Sequence, residues 1–400
     1  MAKDPCDETN WRLATQLVRG GTRRSGFDET SEALFMTSGY VYASAAEAEA
    51  AFKGECDRFV YSRFANPTVQ MFERRLALLE GAALCKATAT GMSAVFTALA
   101  CGLRAGDRLV AARALFGSCH YVVSEILPSF GIETVLVDGR DNDAWRRALA
   151  TPARCVFLET PSNPMLEIVD LEAVCEIAHA AGARVVVDNV FATPILQRPL
   201  EFGADVVVYS ATKHIDGQGR ALGGAILAND AEWFEQKLVP FHRHTGPALS
   251  PFNAWLLLKG LETLDLRMQR HCSNARAVAQ HLAGRNDLQR VLHPSLPGHP
   301  QHALAMRQMK DGGSLVTLDL AGDRARAYRF LDGLRIFDIS NNLGDAKSLA
   351  THPATTTHQR FTPEQRAGIG IFDNTVRLSI GLEDEADLIQ DLDQALRRAA

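Results

Sequence analysis

The sequence lacks the segments that anchor a protein in a membrane or direct it across one. No uninterrupted apolar run reaches the ~18 residues that a membrane-spanning helix needs, and the opening stretch MAKDPCDETNWRLATQ has no apolar core of a signal peptide. Basic residues are not in excess, since 42 Lys and Arg accompany 47 Asp and Glu for a net charge of −5. The basic footprint of a nucleic-acid binder is therefore missing. We expect a cytoplasmic protein that binds neither membranes nor nucleic acids.

Cysteine and histidine are not spaced as metal or redox sites require. None of the eight cysteines forms C-x-x-C, and several lie in apolar stretches such as RCVFLE and LEAVCEIA, which indicates buried apolar side chains in a reducing compartment. His242, His244, His299 and His302 have no Cys or acidic partner at zinc-site spacing. We expect ordinary surface histidines and no metal site.

Two common phosphate-binding motifs are also absent. The glycine-rich segment GQGRALGG has Leu222 where G-x-G-x-x-G requires a glycine, and it leads into a predicted strand rather than a helix. The pattern G-x-x-x-x-G-K-[ST] does not occur in the chain. The sequence therefore contains neither a dinucleotide-binding fingerprint nor a P-loop.

Short apolar segments alternate with helical patterns in the first two thirds of the chain. A helix is predicted from Pro67 to Gly81, because apolar residues recur there at helical spacing. The strand candidates are residues 107–112, 132–138, 154–159, 184–188, 205–210 and 223–228. Strands that are apolar on both faces and separated by helices predict an α/β fold with a mostly parallel sheet covered on both sides.

The chain divides into three predicted parts. Residues 1–60 contain few periodic signals and look like an N-terminal arm, whereas residues 61–250 carry the α/β pattern and form the large domain. Residues 251–400 begin with a long helical stretch, continue through strand candidates such as SLVTLDL and TVRLSIG, and end with a charged helix. This last part is predicted to be a smaller α+β domain.

Polar side chains follow several of the predicted strands. Asn163, Asp188, Ser210, Thr212 and Lys213 all lie at or just beyond a strand end, and ligands bind beyond the carboxyl ends of the strands in such sheets. An acid and a lysine in this place can also form a structural ion pair. Taken alone, these residues support a structural and a functional explanation equally. Their joint position at the ligand-binding edge favours a functional site.

Two further segments offer donors for a phosphate. The small residues ATATGMSA lead into a helix that opens near Gly91, where free N–H groups can bind an anion. The segment YSRFANP carries Tyr61 and Arg63 two residues apart, so that on an extended chain both side chains point the same way and Arg63 can pair with a phosphate. Taken alone, each segment has a more common explanation. ATATGMSA is then a close-packed start of a helix, and Arg63 is a solvated arginine on a loop.

A phosphate site, an acid and a lysine at a strand end together indicate pyridoxal 5'-phosphate. This cofactor needs a lysine for a Schiff base, an acid opposite its pyridine nitrogen and hydrogen-bond donors around its phosphate. Desolvation of Lys213 would favour the neutral, nucleophilic amine.

At this point the motifs resemble a known family. The segments VDNVFATP, YSATKHIDG, YSRFANPT, ETPSNP, SLATHPATTTH and RLSIGLED are similar to those of the Cys/Met-metabolism enzymes that depend on pyridoxal phosphate, from about residue 15 to the end of the chain. The resemblance implies the type I, aspartate-aminotransferase-like fold of PLP-dependent transferases. It also implies a homotetramer of two active dimers, in which the arm of residues 1–60 contributes to the neighbouring subunit.

The same resemblance implies a role for each matching residue. Lys213 would hold the cofactor and shuttle protons, Asp188 would keep the pyridine nitrogen protonated, and Phe116 would stack on the ring. The remaining residues would bind anionic groups. The cofactor phosphate would be bound by Gly91, Met92, Ser210 and Thr212, and the phosphate of the neighbouring subunit by Tyr61 and Arg63. The substrate α-carboxylate would be bound by Arg377 with Asn163 and Ser348.

Two departures from the family pattern bear on the reaction. Phe116 stands where most relatives have a tyrosine, and phenylalanine has no hydroxyl to give the leaving group a proton. Tyr61 or Lys213 would have to donate that proton. Lys347 stands where relatives that handle cystathionine have glutamate, and a positive charge there disfavours a cationic amino-acid nucleophile and tolerates hydrosulfide.

The lysine at position 347, the segment HIDGQGRALGG and the compact length resemble the sulfhydrylase branch of the family. The implied reaction is γ-replacement in methionine biosynthesis, in which O-succinyl-L-homoserine and sulfide give homocysteine and succinate. Cystathionine γ-synthesis, sulfhydrylation of O-acetylhomoserine and a catalytically silent binding protein remain as alternatives. The residue that binds the distal carboxylate is open, with Arg220 and Arg243 as conceivable candidates.

Overall fold

A computed structural model of the chain describes residues 8–400, and the strands of this part lie in two sheets. The strands are β1 (Leu84–Thr88), β2 (Arg108–Ala112), β3 (Glu133–Val137), β4 (Cys155–Glu159), β5 (Arg184–Asp188), β6 (Val206–Ser210), β7 (Gly224–Ala228), β8 (Leu288–Leu292), β9 (Leu315–Leu320), β10 (Asp338–Ile339), β11 (Leu349–Thr351) and β12 (Thr375–Ser379).

The α-helices lie between these strands and at both ends of the described chain. They are α1 (Leu13–Arg19), α2 (Ala45–Lys53), α3 (Pro67–Glu80), α4 (Gly91–Ala100), α5 (Gly117–Tyr121), α6 (Leu127–Ser129), α7 (Asn142–Leu149), α8 (Leu171–Ala180), α9 (Thr193–Leu196), α10 (Ala231–Trp233), α11 (Val239–Thr245), α12 (Pro251–Glu262), α13 (Leu264–Ala283), α14 (His302–Gln308), α15 (Arg324–Gly333), α16 (Pro363–Gly368) and α17 (Glu385–Ala399).

Seven strands of the described chain form the first sheet, in the order β1-β7-β6-β5-β4-β2-β3. The strands β2 to β6 run parallel to one another, whereas β7 is antiparallel to both β1 and β6. The mostly parallel sheet expected from the sequence is confirmed. The sequence did not indicate β1, because Lys86 interrupts its apolar run and the strand lies half-buried at the sheet edge.

Helices cover this sheet on both faces. Side chains alternate along a strand, so Val206 and Val208 of β6 pack in the cluster that contains α4, while Val207 and Tyr209 pack in the cluster that contains α3, α12 and α13. Burial on both faces explains the uninterrupted apolar sequence of the central strands.

The helix α3 shows how local sequence sets the boundaries of an element. Asn66 caps its first turn by accepting hydrogen bonds from the N–H groups of Thr68 and Val69, and Pro67 occupies the first helical position. Gly81 ends the helix with φ of +77°, a conformation that glycine adopts without a steric cost. The predicted helix is confirmed at both ends.

The second sheet of the described chain has five strands, in the order β10-β11-β12-β9-β8. Side chains from α13, α15 and α17 pack with this sheet in one apolar cluster. The long helical stretch predicted after residue 250 consists of two helices, α12 and α13, which meet at Thr263. In residues 8–400, no helix is both long and apolar enough to cross a membrane.

Three local expectations were wrong. Tyr61 and Arg63 do not lie on an extended segment, because the N–H of Phe64 donates to the carbonyl of Tyr61 and closes a turn. His242 and His299 are buried rather than on the surface. Their imidazole Nε2 atoms lie 3.0 Å from the Ala87 carbonyl oxygen and 3.2 Å from that of Leu166, respectively, so each buried ring has a backbone hydrogen-bond partner at Nε2.

The cysteines of the described chain are free thiols, and five of the seven are buried. Cys6 and the other residues of positions 1–7 lie outside the described part, so the beginning of the expected arm at residues 1–60 is not covered.

Candidate active site

The carboxyl ends of β4, β5 and β6 meet at a cavity of about 230 Å³. Parallel strands in register bring their last residues side by side, so that Glu159 of β4 pairs with Asp188 of β5. The cavity is lined by Thr90, Gly91, Met92, Val95, Phe116, Cys119, Glu159, Asn163, Asp188, Val190, Phe191, Ser210, Thr212, Lys213, Leu222, Asn341 and Leu343. Eight of the residues singled out in the sequence are therefore brought together here.

Lys213 lies in the turn that follows β6, where its backbone N–H donates to the carbonyl of Ser210. Its ammonium Nζ donates to the amide oxygen Oδ1 of Asn342 at 2.6 Å. Burial, with a smaller contribution from the charge of Arg377, lowers the pKa of Lys213 to about 8. The neutral, nucleophilic amine is therefore far more populated near neutral pH than it is for a lysine with an ordinary pKa of about 10.4.

Two acids lie next to each other at the neighbouring strand ends. The Oδ1 atom of Asp188 accepts a hydrogen bond from the N–H of Val190 at 3.1 Å, and Glu159 accepts from the N–H groups of Phe116 and Asn163 at 2.7 and 2.9 Å. Burial raises the pKa of both carboxyl groups, and the charge of Asp188 raises that of Glu159 further. A cationic ring nitrogen beside Asp188 would stabilise its ionised form.

The start of α4 lies against the end of β6. A Cβ atom added to Gly91 would be 2.5 Å from the Cβ of Ser210, so only glycine allows this approach. The Thr90 hydroxyl caps the helix by accepting from the N–H of Ser93 at 3.0 Å, which leaves the N–H groups of Gly91 and Met92 as donors for an anion. The helix start and Ser210 thus form one donor-rich corner of the cavity.

Arg377 is a buried cation on β12 of the second sheet. Its Nη1 donates to Asn163 Oδ1 at 3.0 Å, and its Nη2 donates to the carbonyls of Asn341 and Asn342 at 3.0 and 2.9 Å. Burial lowers its pKa to about 10. Within residues 8–400, no carboxylate lies within 4.0 Å of its guanidinium, and its Nε has no hydrogen-bond partner. Glu159 is near enough for its charge to raise the pKa of Arg377, but it does not contact the guanidinium. A buried cation with no carboxylate in contact suits an anionic ligand.

Four of the predicted site residues are not among those that line this cavity: Arg377, which donates to the lining residues Asn163 and Asn341, and Tyr61, Arg63 and Ser348. Tyr61 is 41% exposed, and the guanidinium of Arg63 lies 5.2 Å from its ring centroid and donates to the carbonyl of Arg243. The Ser348 hydroxyl donates to Glu383 Oε2 at 2.9 Å and accepts from the N–H of Gly381. The structure of one chain therefore does not bring Tyr61, Arg63 or the Ser348 hydroxyl to the cluster around Lys213.

Sequence reasoning missed Glu159, Asn341 and Asn342. Glu159 had a signal, because it ends a predicted strand just as Asp188 does. The two asparagines lie in a loop more than a hundred residues from Lys213, and only the consecutive Asn-Asn pair ahead of the SLATHP motif marks them in the sequence.

The residues of the cavity fit pyridoxal 5'-phosphate. An amine of lowered pKa, a carboxyl pair and helix N–H donors line the same cavity, and Gly91 leaves the space that a side chain would fill. Residues 14–397 match the family of Cys/Met metabolism PLP-dependent enzymes. The chain belongs to this family. Its fold is that of the type I PLP-dependent transferases, as expected.

Individual members of the family align with almost the whole chain. An O-succinylhomoserine sulfhydrylase of Mycobacterium tuberculosis H37Rv is 60% identical over 387 residues, which cover 96% of this chain and 95% of that protein. An O-succinylhomoserine sulfhydrylase of Pseudomonas aeruginosa PAO1 is 48% identical, with coverage of 96% and 94%.

A solved structure connects the fold with the cofactor. A putative O-acetylhomoserine (thiol)-lyase from Campylobacter jejuni is 32% identical and superimposes with a TM-score of 0.93, covering 97% of this chain and 100% of that one. That structure carries an N'-pyridoxyl-lysine-5'-monophosphate.

Proposed function

We propose that this protein is an O-succinylhomoserine sulfhydrylase, which replaces the succinate of O-succinyl-L-homoserine by sulfide to give L-homocysteine. The observation that carries the proposal is the 60% identity, over 96% of the chain, with a relative of that name. Lys347 and the segment HIDGQGRALGG support the same branch of the family. Lys347 is largely exposed, and its ammonium lies 2.8 Å from Asp345 Oδ1.

Lys213 is the residue that we propose moves protons. When bound, pyridoxal phosphate withdraws electrons from the substrate and so acidifies its α- and β-hydrogens. The Lys213 Nζ atom accepts and returns these protons, because its lowered pKa leaves it neutral in part of the population near pH 8. The hydrogen bond to Asn342 restricts the direction of the amine. With phenylalanine at position 116, Lys213 or Tyr61 of a neighbouring subunit donates the proton to the leaving group.

The other cavity residues bind and orient. Asp188 would pair with the ring nitrogen and Phe116 would stack on the ring. Glu159 fixes Phe116 by accepting a hydrogen bond from its backbone N–H. Gly91, Met92, Ser210 and Thr212 bind the phosphate. This arrangement holds both reactants in one geometry, which supplies the proximity contribution to the rate.

Arg377 and Asn163 bind the α-carboxylate of the substrate. This assignment is supported by the buried guanidinium that no carboxylate contacts. For Ser348 we propose a supporting part, because its hydroxyl fixes the start of β11 through Glu383 and Gly381, and Thr351 of β11 pairs directly with Arg377 of β12.

We further propose a homotetramer made of two active dimers, in which residues 1–60 form an arm, residues 61–250 the large domain and residues 251–400 the smaller domain. Tyr61 and Arg63 reach the phosphate of the neighbouring subunit in this arrangement. Phe27, Met36 and Val41 are 94%, 65% and 88% exposed in the single chain, as expected for a segment that another subunit covers. The buried free thiols suit a cytoplasmic location.

The proposal is tested by a comparison of four substrate pairs on the purified protein. Rates with O-succinyl- and O-acetyl-L-homoserine, each with sulfide and with cysteine, should be greatest for O-succinyl-L-homoserine and sulfide. A preference for cysteine would identify a cystathionine γ-synthase, and a preference for the acetyl ester an O-acetylhomoserine sulfhydrylase. A protein that neither takes up the cofactor nor turns over any pair would be a silent binding protein.

A further inference from the structure

A second cavity, of about 330 Å³, adjoins the one that contains Lys213. Phe116 and Asn341 line both cavities, so a ligand in the first can extend past these two side chains into the second. The other walls come from the start of α5 and from the loop of residues 356–361, ahead of α16. We call this space the outer cavity.

The chemistry of the outer cavity is that of an anion site. Its one charged lining residue is Arg360, and four hydroxyl-bearing residues accompany it: Ser118, Tyr121, Thr356 and Thr357. None of the lining residues, all of which belong to the described chain, is Asp or Glu. The Thr356 hydroxyl donates to the His352 carbonyl, and the Thr357 hydroxyl lies 2.8 Å from His358 Nδ1. The cavity therefore offers the Arg360 cation and the hydroxyls of Ser118 and Tyr121 without a competing carboxylate.

Arg360 is available for a ligand. Its guanidinium carbon lies 5.6 Å from the centroid of the Tyr121 ring, a cation–π arrangement that holds the side chain at the cavity. In residues 8–400, no carboxylate lies within 4.0 Å of this guanidinium. The planar guanidinium can bind a carboxylate through two parallel hydrogen bonds.

Arg220 and Arg243, which the sequence offered for the distal carboxylate, are placed elsewhere. The Nε of Arg220 is 3.0 Å from Asp216 Oδ1, and the guanidinium of Arg243 lies 4.6 Å from the centroid of the Phe64 ring. Neither residue lines the first or the outer cavity. The Arg220 side chain is held by its ion pair with Asp216, and Arg243 lies outside both cavities, whereas Arg360 lines the outer cavity.

We propose that the outer cavity receives the acyl chain of the ester substrate and that Arg360 binds its terminal carboxylate. This inference rests on the proposed function, in which Arg377 binds the α-carboxylate in the first cavity and the ester points away from it. A succinyl chain ends in an anion, whereas an acetyl group does not. Arg360 is therefore a specificity-determining residue that favours dicarboxylic monoesters of homoserine over the acetyl ester.

The test compares Arg360→Gln and Arg360→Lys with wild type on both esters, with sulfide as nucleophile. We expect Arg360→Gln to lower kcat/KM for O-succinyl-L-homoserine about tenfold and to leave that for O-acetyl-L-homoserine unchanged. Arg360→Lys should retain part of the preference, because it keeps the charge without the planar fork. Arg398→Gln, a change at an exposed arginine of α17, is the matched control and should affect neither ester.

Inhibition by the product supplies a second readout. Free succinate should inhibit wild type competitively, and its inhibition constant should be about tenfold higher for Arg360→Gln. The inhibition constant of acetate should be the same for both proteins. An equal loss on both esters, or no loss on either, overturns the assignment of Arg360. A wild-type protein that does not use O-succinyl-L-homoserine overturns the proposed function itself, so the wild-type and variant measurements separate the two failures.

Discussion

Lys213 donates a hydrogen bond of 2.6 Å to Asn342, a residue 129 positions later in the chain. This bond connects the end of β6 in the first sheet with the loop that precedes β11 in the second. Asn342 also presents its carbonyl oxygen to Arg377 at 2.9 Å. One loop residue therefore contacts both the amine and the guanidinium of the site, and the two sheets must pack together for the site to exist.

Cofactor uptake should depend on pH through Lys213. Its pKa is lowered to about 8, so the amine is mostly protonated below that value and mostly neutral above it. Only the neutral amine attacks an aldehyde, and we expect the rate at which the apoenzyme takes up pyridoxal phosphate to rise with pH and to level off above about 8. Absorbance of the linked cofactor, followed from pH 6.5 to 9.5, gives the profile.

A chemical label provides the control for this experiment. Borohydride reduction of the reconstituted protein should place the cofactor on the peptide that contains Lys213, and Lys213→Ala should remain unlabelled. A label on another lysine would contradict the assignment of the site.

The substitution Asn342→Asp should shift this pH profile to higher values. A carboxylate beside the Lys213 ammonium stabilises its charged form and raises its pKa, by about one unit or more. The midpoint of cofactor uptake should move by the same amount. Asn342→Ala removes the hydrogen bond without adding a charge, and it should not move the midpoint upward. Equal behaviour of the two variants would show that Asn342 acts only in packing.

The substitution Arg377→Lys should weaken substrate binding while the cofactor remains bound. Lysine cannot make the three contacts with Asn163, Asn341 and Asn342 together with a two-point contact to a carboxylate. We expect kcat/KM to fall by about 10- to 1000-fold, mainly through KM. Steady-state kinetics measure this loss, and Arg397→Lys on the exposed side of α17 serves as the control. An unchanged KM would remove Arg377 from the carboxylate site.

Glu80 should make the wild-type protein less stable as the pH rises. It is the last residue of α3, it is fully buried, and its Oε2 accepts a hydrogen bond from Tyr209, whose hydroxyl also accepts from Asn189. Burial raises the pKa of Glu80 to about 8. Its value in the unfolded chain is about 4.3, so the unfolded state releases the proton first, and stability falls between these two values as pH increases.

The substitution Glu80→Gln should abolish this pH-dependent loss. The amide keeps an oxygen that can accept from Tyr209 and cannot ionise. The melting temperature of Glu80→Gln relative to wild type should therefore rise from pH 5.5 to about pH 8 and level off above that value. Glu235→Gln, at an exposed position, should show no such trend. If the difference in melting temperature between Glu80→Gln and wild type did not change with pH, Glu80 would not be a buried, protonated carboxyl group.

Much of the framework was predictable because its causes are local. Asn66, Pro67 and Gly81 set the ends of α3 through caps and backbone geometry, which involve residues a few positions apart. The central strands could be predicted because burial on both faces requires unbroken apolar runs in the sequence. Asp188 and Lys213 could be singled out for the same reason, since each polar side chain follows such a run directly.

The remaining features depend on residues that are distant in sequence. The hydrogen bonding and the pKa of the Lys213 amine depend on Asn342 and Arg377. His242 was expected on the surface, but it is buried against Ala87, 155 positions away, whose carbonyl contacts its ring. The second sheet brings the Arg377 guanidinium to the strand ends of the first, and the loop of Arg360 closes the outer cavity beside Phe116.

The sequence by itself determined the central strands and helices, their parallel sheet, and the positions of Asp188 and Lys213 at its ligand-binding edge. Only the tertiary structure decided which charges are buried, which of them have no counter-ion in contact and which side chains face the cavities. The physical reason is that helix caps and apolar periodicity act between near neighbours, whereas desolvation and charge pairing depend on whatever the folded chain brings within a few ångströms.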